Sequence, residues 1–181
     1  MNLANLVTLA RLFAVPVVVW LILSDNFAAT FWVFVAASIS DAIDGYIAKR
    51  FDQRTDFGAL ADPIADKTLI VTLFVTLGIA GRLPNWLVIM VVFRDFLIIG
   101  GFLLAVALAQ PVNWRPLFIS KLNTTLQLIL IAVALAESAF GFNSDGVILA
   151  LIYLVAATTI VSGGGYLVRW GRVLAGREAN P

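Results

Sequence analysis

Residues 41–66 read DAIDGYIAKRFDQRTDFGALADPIAD and lie between long apolar segments. Asp41 and Asp44 are three residues apart, and on a helix this spacing places both side chains on one face. Asp62 and Asp66 are four residues apart, which also places their side chains on one face of a helix. Uncompensated carboxylates are costly within a bilayer, so the four acids predict a bound cation. Because the ligands would all be oxygens, a hard ion such as Mg²⁺ or Mn²⁺ is favoured.

The composition is that of an integral membrane protein. Of the 181 residues, 61% are hydrophobic and 13% are charged, whereas a soluble domain carries about 25% charged residues. The chain contains no His and no Cys, which excludes Ser-His-Asp triads, zinc sites built on these residues, and disulfides. We expect one membrane domain over residues 1–181, in contact with membrane lipids and without a nucleic-acid partner.

Six apolar segments are long enough to cross a bilayer as helices. They are Leu6–Ser24, Phe27–Ala48, Pro63–Ala80, Pro84–Ala109, Ile119–Phe140 and Val147–Tyr166. The expected fold class is therefore all-α, a polytopic bundle of six transmembrane helices. Glycine pairs and triplets within the spans, at 100–101 and 163–165, predict either close helix packing or a local break.

Basic residues are unevenly distributed over the connections between these segments. Arg82 is the only basic residue in the first, third and fifth connections, whereas the polar loop Lys49–Phe57 contains three. The positive-inside rule therefore predicts that both termini and this loop lie in the cytoplasm.

The acidic stretch is suited to metal-assisted phosphoryl transfer. Two metal ions about 3.5–4 Å apart would clamp a diphosphate and stabilise the entering and leaving oxygens. Direct attack by an acceptor hydroxyl, with one Asp as general base, is the natural chemistry for a chain without Cys. Two alternatives remain open. The acids are solvated by headgroups or paired with Lys49, Arg50 and Lys67, or they form the ion site of a small transporter.

The spaced pattern Asp41-x-x-Asp44-Gly45-x-x-Ala48-Lys49 and Gly58-x-x-x-Asp62-x-x-x-Asp66 resembles the signature of the CDP-alcohol phosphotransferases. The resemblance implies a six-helix membrane bundle, usually a homodimer, with two divalent ions in a site that faces the cytoplasm. It also implies that the four Asp residues bind the metals and that Asp66 deprotonates the acceptor. Three small residues would line the pocket for cytidine and diphosphate: Gly45, Ala48 and Gly58.

Two further features concern the nucleotide-activated donor, expected to be CDP-diacylglycerol. The family usually has Arg at the position of Lys49, and Arg50 follows it here. Either of these two residues would contact the diphosphate, although Lys cannot make the bidentate contact of a guanidinium. Thr8 in the first span would also contribute to donor binding, and Arg11 either does so or anchors the span at the cytoplasmic face.

Arg94 and Lys121 are the candidate ligands of the acceptor's phosphate. Arg94 lies mid-way along the fourth apolar segment, and Lys121 lies near the start of the fifth. Together they would form a basic pocket for an anionic acceptor. The alternatives are that Arg94 pairs with Asp95 or a motif carboxylate, and that Lys121 extends to the headgroups.

Two segments are similar to the cardiolipin synthases of mitochondria and some bacteria. One runs from Leu83-Pro84-x-Trp86 to Arg94-Asp95, and the other covers residues 117–124 and 127–130. Phosphatidylglycerophosphate synthases tend to have Arg-Glu and Gly-Lys-x-Lys-Thr at these places. The implied reaction transfers a phosphatidyl group from CDP-diacylglycerol to phosphatidylglycerol and releases CMP; glycerol 3-phosphate is the alternative acceptor. The implied location is a bacterial inner membrane or an organelle membrane.

Overall fold

The structure is a computed structural model that describes residues 3–51, 56–107 and 118–174, with side chains at 12–40, 67–101 and 118–171. All regular secondary structure within these ranges is α-helical, which confirms the predicted all-α class. The helices are α1 Leu3–Leu23, α2 Phe27–Phe51, α3 Asp56–Ile79, α4 Asn85–Ala107, α5 Phe118–Phe140 and α6 Asp145–Leu174.

Three short turns connect α1 to α2, α3 to α4, and α5 to α6, close to the predicted positions. The Asn26 carboxamide oxygen accepts a hydrogen bond from the Ala29 amide at 3.2 Å and so caps α2. Gly81 and Gly141 follow α3 and α5 with φ angles of 72° and 70°, a conformation in which glycine has no Cβ to clash. Because the turns are short, each pair of helices packs as antiparallel neighbours.

The six helices share one apolar core. Helix α1 packs on α2 and α3, α5 packs on α2, α3 and α6, and α4 packs on α3 and α6. Each helix contributes fully or almost fully buried side chains to the core, among them Val18, Ile22, Phe34, Phe74, Leu77, Leu87, Leu130, Leu135 and Val155. Burial of these side chains is the main term that holds the bundle together.

Large apolar side chains also cover the outside of the bundle. Trp20, Phe93 and Phe96 are each more than 60% exposed. By length and composition, two of the described helices are able to cross a membrane, over Phe118–Phe140 and Asp145–Gly171. An apolar outer surface of this kind suits a lipid environment.

The helix boundaries differ from the predicted spans because helices continue into polar sequence. Helix α2 ends at Phe51 and α3 begins at Asp56, so the predicted polar loop Lys49–Phe57 was too long and the predicted start at Pro63 was too late. Hydropathy marks the part of a helix that suits a bilayer, whereas the backbone hydrogen bonds continue beyond it. For the same reason α6 extends to Leu174.

Candidate active site

The four acids of the motif lie on two helices. Asp41 and Asp44 belong to α2, and Asp62 and Asp66 belong to α3, so both spacings occur on helical backbone as predicted. Their side chains lie outside the described residues. The same holds for the six predicted donor-binding residues, namely Thr8, Gly45, Ala48, Lys49, Arg50 and Gly58. The roles of these residues remain predictions.

A buried ion-pair cluster begins at the residue that follows Asp66. The Lys67 ammonium donates hydrogen bonds to both Asp95 oxygens at 2.9 Å. Arg94 Nη1 donates to Asp95 Oδ1 at 2.6 Å. The side chains of Arg94 and Asp95 are only 2% exposed. Arg94 therefore pairs with Asp95, which was one of the two alternatives that its sequence position left open, and the same carboxylate also binds Lys67.

Two serines complete the hydrogen bonding of Arg94. Its Nη2 donates to Ser120 Oγ at 2.5 Å and to Ser162 Oγ at 2.7 Å, and Nε donates to Ser162 Oγ at 3.3 Å. We call Lys67, Arg94, Asp95, Ser120 and Ser162 the charged cluster. Its members come from α3, α4, α5 and α6. The cluster therefore fixes a guanidinium at the point where four helices meet.

The charged cluster is favourable to an anion. Burial of ions is costly unless they are paired and hydrogen-bonded. Among the side chains that the structure describes, two cations in the cluster share the carboxylate of Asp95. Serine hydroxyls satisfy donors of Arg94 but carry no charge. Counted over its five residues, the cluster has one more positive charge than negative charge; the motif acids, with Asp66 directly before Lys67, lie outside this count.

Lys121 lies next to Ser120 but points elsewhere. Its side chain is exposed, and no hydrogen bond or ion pair with the cluster is found for its ammonium among the described contacts. Exposed apolar residues flank it on α5, with Phe118 at 80% and Leu122 at 39% exposure. The structure therefore places Arg94 within the cluster and Lys121 on an apolar outer face nearby.

Helix α5 carries further buried polar groups behind the cluster. The Asn123 side-chain oxygen accepts hydrogen bonds from the Thr158 and Thr159 hydroxyls at 2.8 and 3.1 Å, which joins α5 to α6. Gln127, one turn further along, is fully buried, and its carboxamide has no partner among the described residues. Asn123 lies three residues after Ser120, and Gln127 lies four residues after Asn123. Because residues three and four apart share one face of a helix, all three lie on the same face of α5.

Sequence reasoning missed four members of the charged cluster as functional candidates: Lys67, Asp95, Ser120 and Ser162. Lys67 and Asp95 appeared only as possible pairing partners. The available signal was that each is a polar residue within an otherwise apolar segment. Their contacts join residues 28 and 68 positions apart, which only the packing of the helices brings together.

The sequence matches the family model described as CDP-alcohol phosphatidyltransferase over residues 1–161. Relatives with this chemistry in their names cover most of the chain. A chloroplastic CDP-diacylglycerol–glycerol-3-phosphate 3-phosphatidyltransferase of rice is 34% identical over 96% of this chain and 58% of its own length. The human cardiolipin synthase (CMP-forming) is 31% identical over 93% of this chain and 61% of its own length.

This chain covers a larger share of one bacterial relative than of the rice and human proteins. A probable phosphatidylglycerophosphate synthase of Mycobacterium tuberculosis is 32% identical over 97% of this chain and 84% of its own length. The chain thus spans about three fifths of the rice and human proteins and most of the mycobacterial one. The names of these relatives divide between glycerol-3-phosphate 3-phosphatidyltransferase or phosphatidylglycerophosphate synthase and cardiolipin synthase.

Proposed function

The chain belongs to the CDP-alcohol phosphatidyltransferase family, and from this premise we propose that it transfers a phosphatidyl group from CDP-diacylglycerol to an anionic glycerol acceptor, with release of CMP. One observation carries the proposal beyond the family itself. The charged cluster, with its excess positive charge, begins at the residue directly after Asp66, the last acid of the motif. A cationic site beside a carboxylate motif suits a substrate with a phosphate close to its reacting hydroxyl.

Asp41, Asp44, Asp62 and Asp66 are the proposed ligands of two divalent cations. The donor set fits such ions, because it consists of carboxylates on helical backbone in a chain without His or Cys. Carboxylates favour hard ions, so Mg²⁺ or Mn²⁺ is the expected metal. When bound, the ions would neutralise the donor's diphosphate.

Asp66 is the proposed general base. It would accept the proton of the acceptor hydroxyl while that oxygen forms a bond to the phosphatidyl phosphorus and the bond from phosphorus to the CMP oxygen breaks. Gly45, Ala48 and Gly58 would line the donor pocket. Either Lys49 or Arg50 would contact the diphosphate.

Thr8 would add a polar contact to the donor. Arg94 and Lys121 are the proposed acceptor residues, Arg94 through the positive charge of its enclosed guanidinium and Lys121 through direct contact with the acceptor's phosphate. The serines that orient Arg94 leave its charge in place and fix the plane of its guanidinium. Lys121 is exposed beside apolar side chains of α5, which supports access of a lipid acceptor from the membrane.

Phosphatidylglycerol is the acceptor that we propose first, which would make the protein a cardiolipin synthase. The segments around residues 83–95 and 117–130 support it through their similarity to such enzymes. Glycerol 3-phosphate is the second candidate, and the identity of 34% to the rice 3-phosphatidyltransferase favours it. Both acceptors carry a phosphate and a free glycerol hydroxyl.

The proposed setting is a bacterial inner membrane or an organelle membrane, crossed by all six helices. The apolar outer surface supports this setting. The distribution of basic residues supports a site at the cytoplasmic face with both termini on that side. We also propose a homodimer, as the resemblance implies.

The acceptor is tested with purified protein and radiolabelled CDP-diacylglycerol, offered phosphatidylglycerol or glycerol 3-phosphate in parallel. We expect labelled cardiolipin from the first and little product from the second. Reactions without an acceptor control for hydrolysis of the donor. The reverse pattern would overturn the cardiolipin synthase assignment and favour phosphatidylglycerophosphate synthase, while the family chemistry would stand.

A further inference from the structure

We infer that Lys67 is a further acceptor-binding residue, whose ammonium contacts the acceptor's phosphate while Asp95 holds it in position. The role rests on the proposed function, because it names how that site recognises its acceptor. It goes beyond Arg94 and Lys121, which sequence reasoning selected. Three observations support it: accessibility, charge and position.

Lys67 is the accessible cation of the charged cluster. Its side chain is 25% exposed, whereas those of Arg94 and Asp95 are 2% exposed. An ammonium has three N–H donors, and two of those of Lys67 are directed at the oxygens of Asp95. Within the part of the chain whose side chains are described, the third donor has no partner and is available to a ligand that approaches from the accessible side. Arg94, by contrast, is enclosed by Asp95, Ser120 and Ser162.

The excess positive charge of the cluster favours binding of an anion at Lys67. Arg94 and Lys67 share Asp95 as their carboxylate partner among the described side chains. Excess charge in an apolar protein interior is costly, and the cost falls when a counter-ion binds. A phosphate bound to the accessible ammonium would lower this cost without breaking the Arg94–Asp95 pair.

The position of Lys67 matches the shape of the acceptor. Lys67 and Asp66 are consecutive on α3, so their Cα atoms are about 3.8 Å apart. In a glycerol phosphate or phosphatidylglycerol headgroup, a three-carbon backbone separates the phosphate from the free terminal hydroxyl. Because consecutive side chains on a helix diverge by about 100°, an acceptor whose hydroxyl lies at residue 66 would need this separation to place its phosphate at the ammonium of Lys67. Both candidate acceptors meet this condition.

A purely structural role makes a different prediction. If Lys67 only ties α3 to α4 through Asp95, its loss would lower the melting temperature and leave the relative affinities for donor and acceptor unchanged. Lys67→Gln separates the two roles, because the carboxamide is able to donate a hydrogen bond to Asp95 but has no charge. Lys67→Arg keeps the charge and serves as the conservative variant.

The test measures kcat and KM for CDP-diacylglycerol and for the acceptor in wild type, Lys67→Gln and Lys67→Arg, with melting temperatures in detergent. We expect Lys67→Gln to raise the acceptor KM about ten- to a hundred-fold, the effect of losing a hydrogen bond to a charged group. The donor KM should change less than about two-fold, and Lys67→Arg should recover most of the acceptor affinity.

An unchanged acceptor KM in Lys67→Gln, or an equal rise of both KM values, would overturn the role of Lys67. If Lys67→Gln does not fold, Lys67→Met decides, because it keeps the length of the side chain and lacks its charge: a rise of the acceptor KM alone supports the role, and no rise or an equal rise of both KM values contradicts it. These outcomes differ from failure of the proposed function. In that case the wild type itself would release no CMP from CDP-diacylglycerol with either acceptor.

Discussion

Arg94 shows how a charged side chain is kept within the apolar interior of this bundle. A guanidinium has five N–H donors, and the described contacts of Arg94 go to one carboxylate and two hydroxyls. The short distance of 2.6 Å to Asp95 is that of a charge-assisted hydrogen bond. Removal of Arg94 or Asp95 would leave the other charge buried without its partner. This penalty stabilises the pair in addition to the attraction between the two charges.

Asp66 is the residue at which the proposed chemistry is tested most simply. Asp66→Asn keeps the volume of the side chain but removes its basicity and weakens it as a metal ligand. We expect the rate of transfer to fall by about 10²- to 10⁴-fold, the usual contribution of a general base. The rate is measured with purified variants under saturating donor and acceptor.

The control for Asp66→Asn is the melting temperature in detergent, which should stay within a few degrees of wild type. A variant that is folded and retains more than about a tenth of the wild-type rate would remove Asp66 from the mechanism.

At the scale of the helices, two adjacent glycines of α4 differ sharply in their surroundings. A Cβ on Gly101 would lie 2.3 to 2.5 Å from ring atoms of Trp170 on α6, whereas a Cβ on Gly100 would meet nothing within 4 Å. The glycine pair thus serves close helix packing at Gly101, one of the two roles that the sequence left open. Helix α4 continues through both positions.

Gly101→Ala should therefore lower stability, and Gly100→Ala should not. The methyl group at 101 would force the indole of Trp170 to move, at a cost of about 1–3 kcal/mol for overpacking. At position 100 the change should be neutral or stabilising, because alanine is favoured over glycine in a helix by about 1 kcal/mol. Thermal unfolding in one detergent compares the two variants. Equal melting temperatures for the two variants would contradict the prediction, because they would show that the contact between α4 and α6 accommodates a methyl group at position 101.

The approximate positions of the helices were predictable from the sequence, whereas the contacts between the helices were not. Apolar windows located the helices, and the structure adds that Gly81 and Gly141 follow α3 and α5 with positive φ angles. Hydropathy misplaced the ends of α2 and α3, because polar residues continue a helix beyond its apolar part. The pairing of Lys67 with Asp95 depends on how α3 and α4 rotate against each other, which side-chain packing decides.

For the whole molecule, the antiparallel order of the helices separates two ends. The turns after α1, α3 and α5 lie at one end, where the Arg82 guanidinium sits 4.7 Å from the centre of the Phe27 ring and Ser144 hydrogen-bonds to Glu137. The last turns of α2 and the first turns of α3 belong to the opposite end, and each of these two helices carries two of the motif acids. This arrangement agrees with the proposed orientation, since Arg82 is the only basic residue in the three turns.

The sequence predicts four acids for the candidate site, whose roles remain predictions, and it did not predict Lys67 as one of the site's cations. The four carboxylates form a spaced pattern that is legible without a structure, because the spacing itself reports a helix face. Lys67 was visible only as a possible partner of those acids, since nothing in its sequence position showed that Asp95 holds it near an accessible surface. Ser162 was hidden because a serine in a transmembrane segment usually bonds to its own helix.

The most direct test of the central claim is the release of CMP from CDP-diacylglycerol by the purified wild-type protein in detergent, with phosphatidylglycerol present. We expect CMP and phospholipid product in equal amounts, loss of both with EDTA, and recovery with excess Mg²⁺ or Mn²⁺. CMP release that continues at full rate in EDTA, or no CMP with either phosphatidylglycerol or glycerol 3-phosphate, would contradict it.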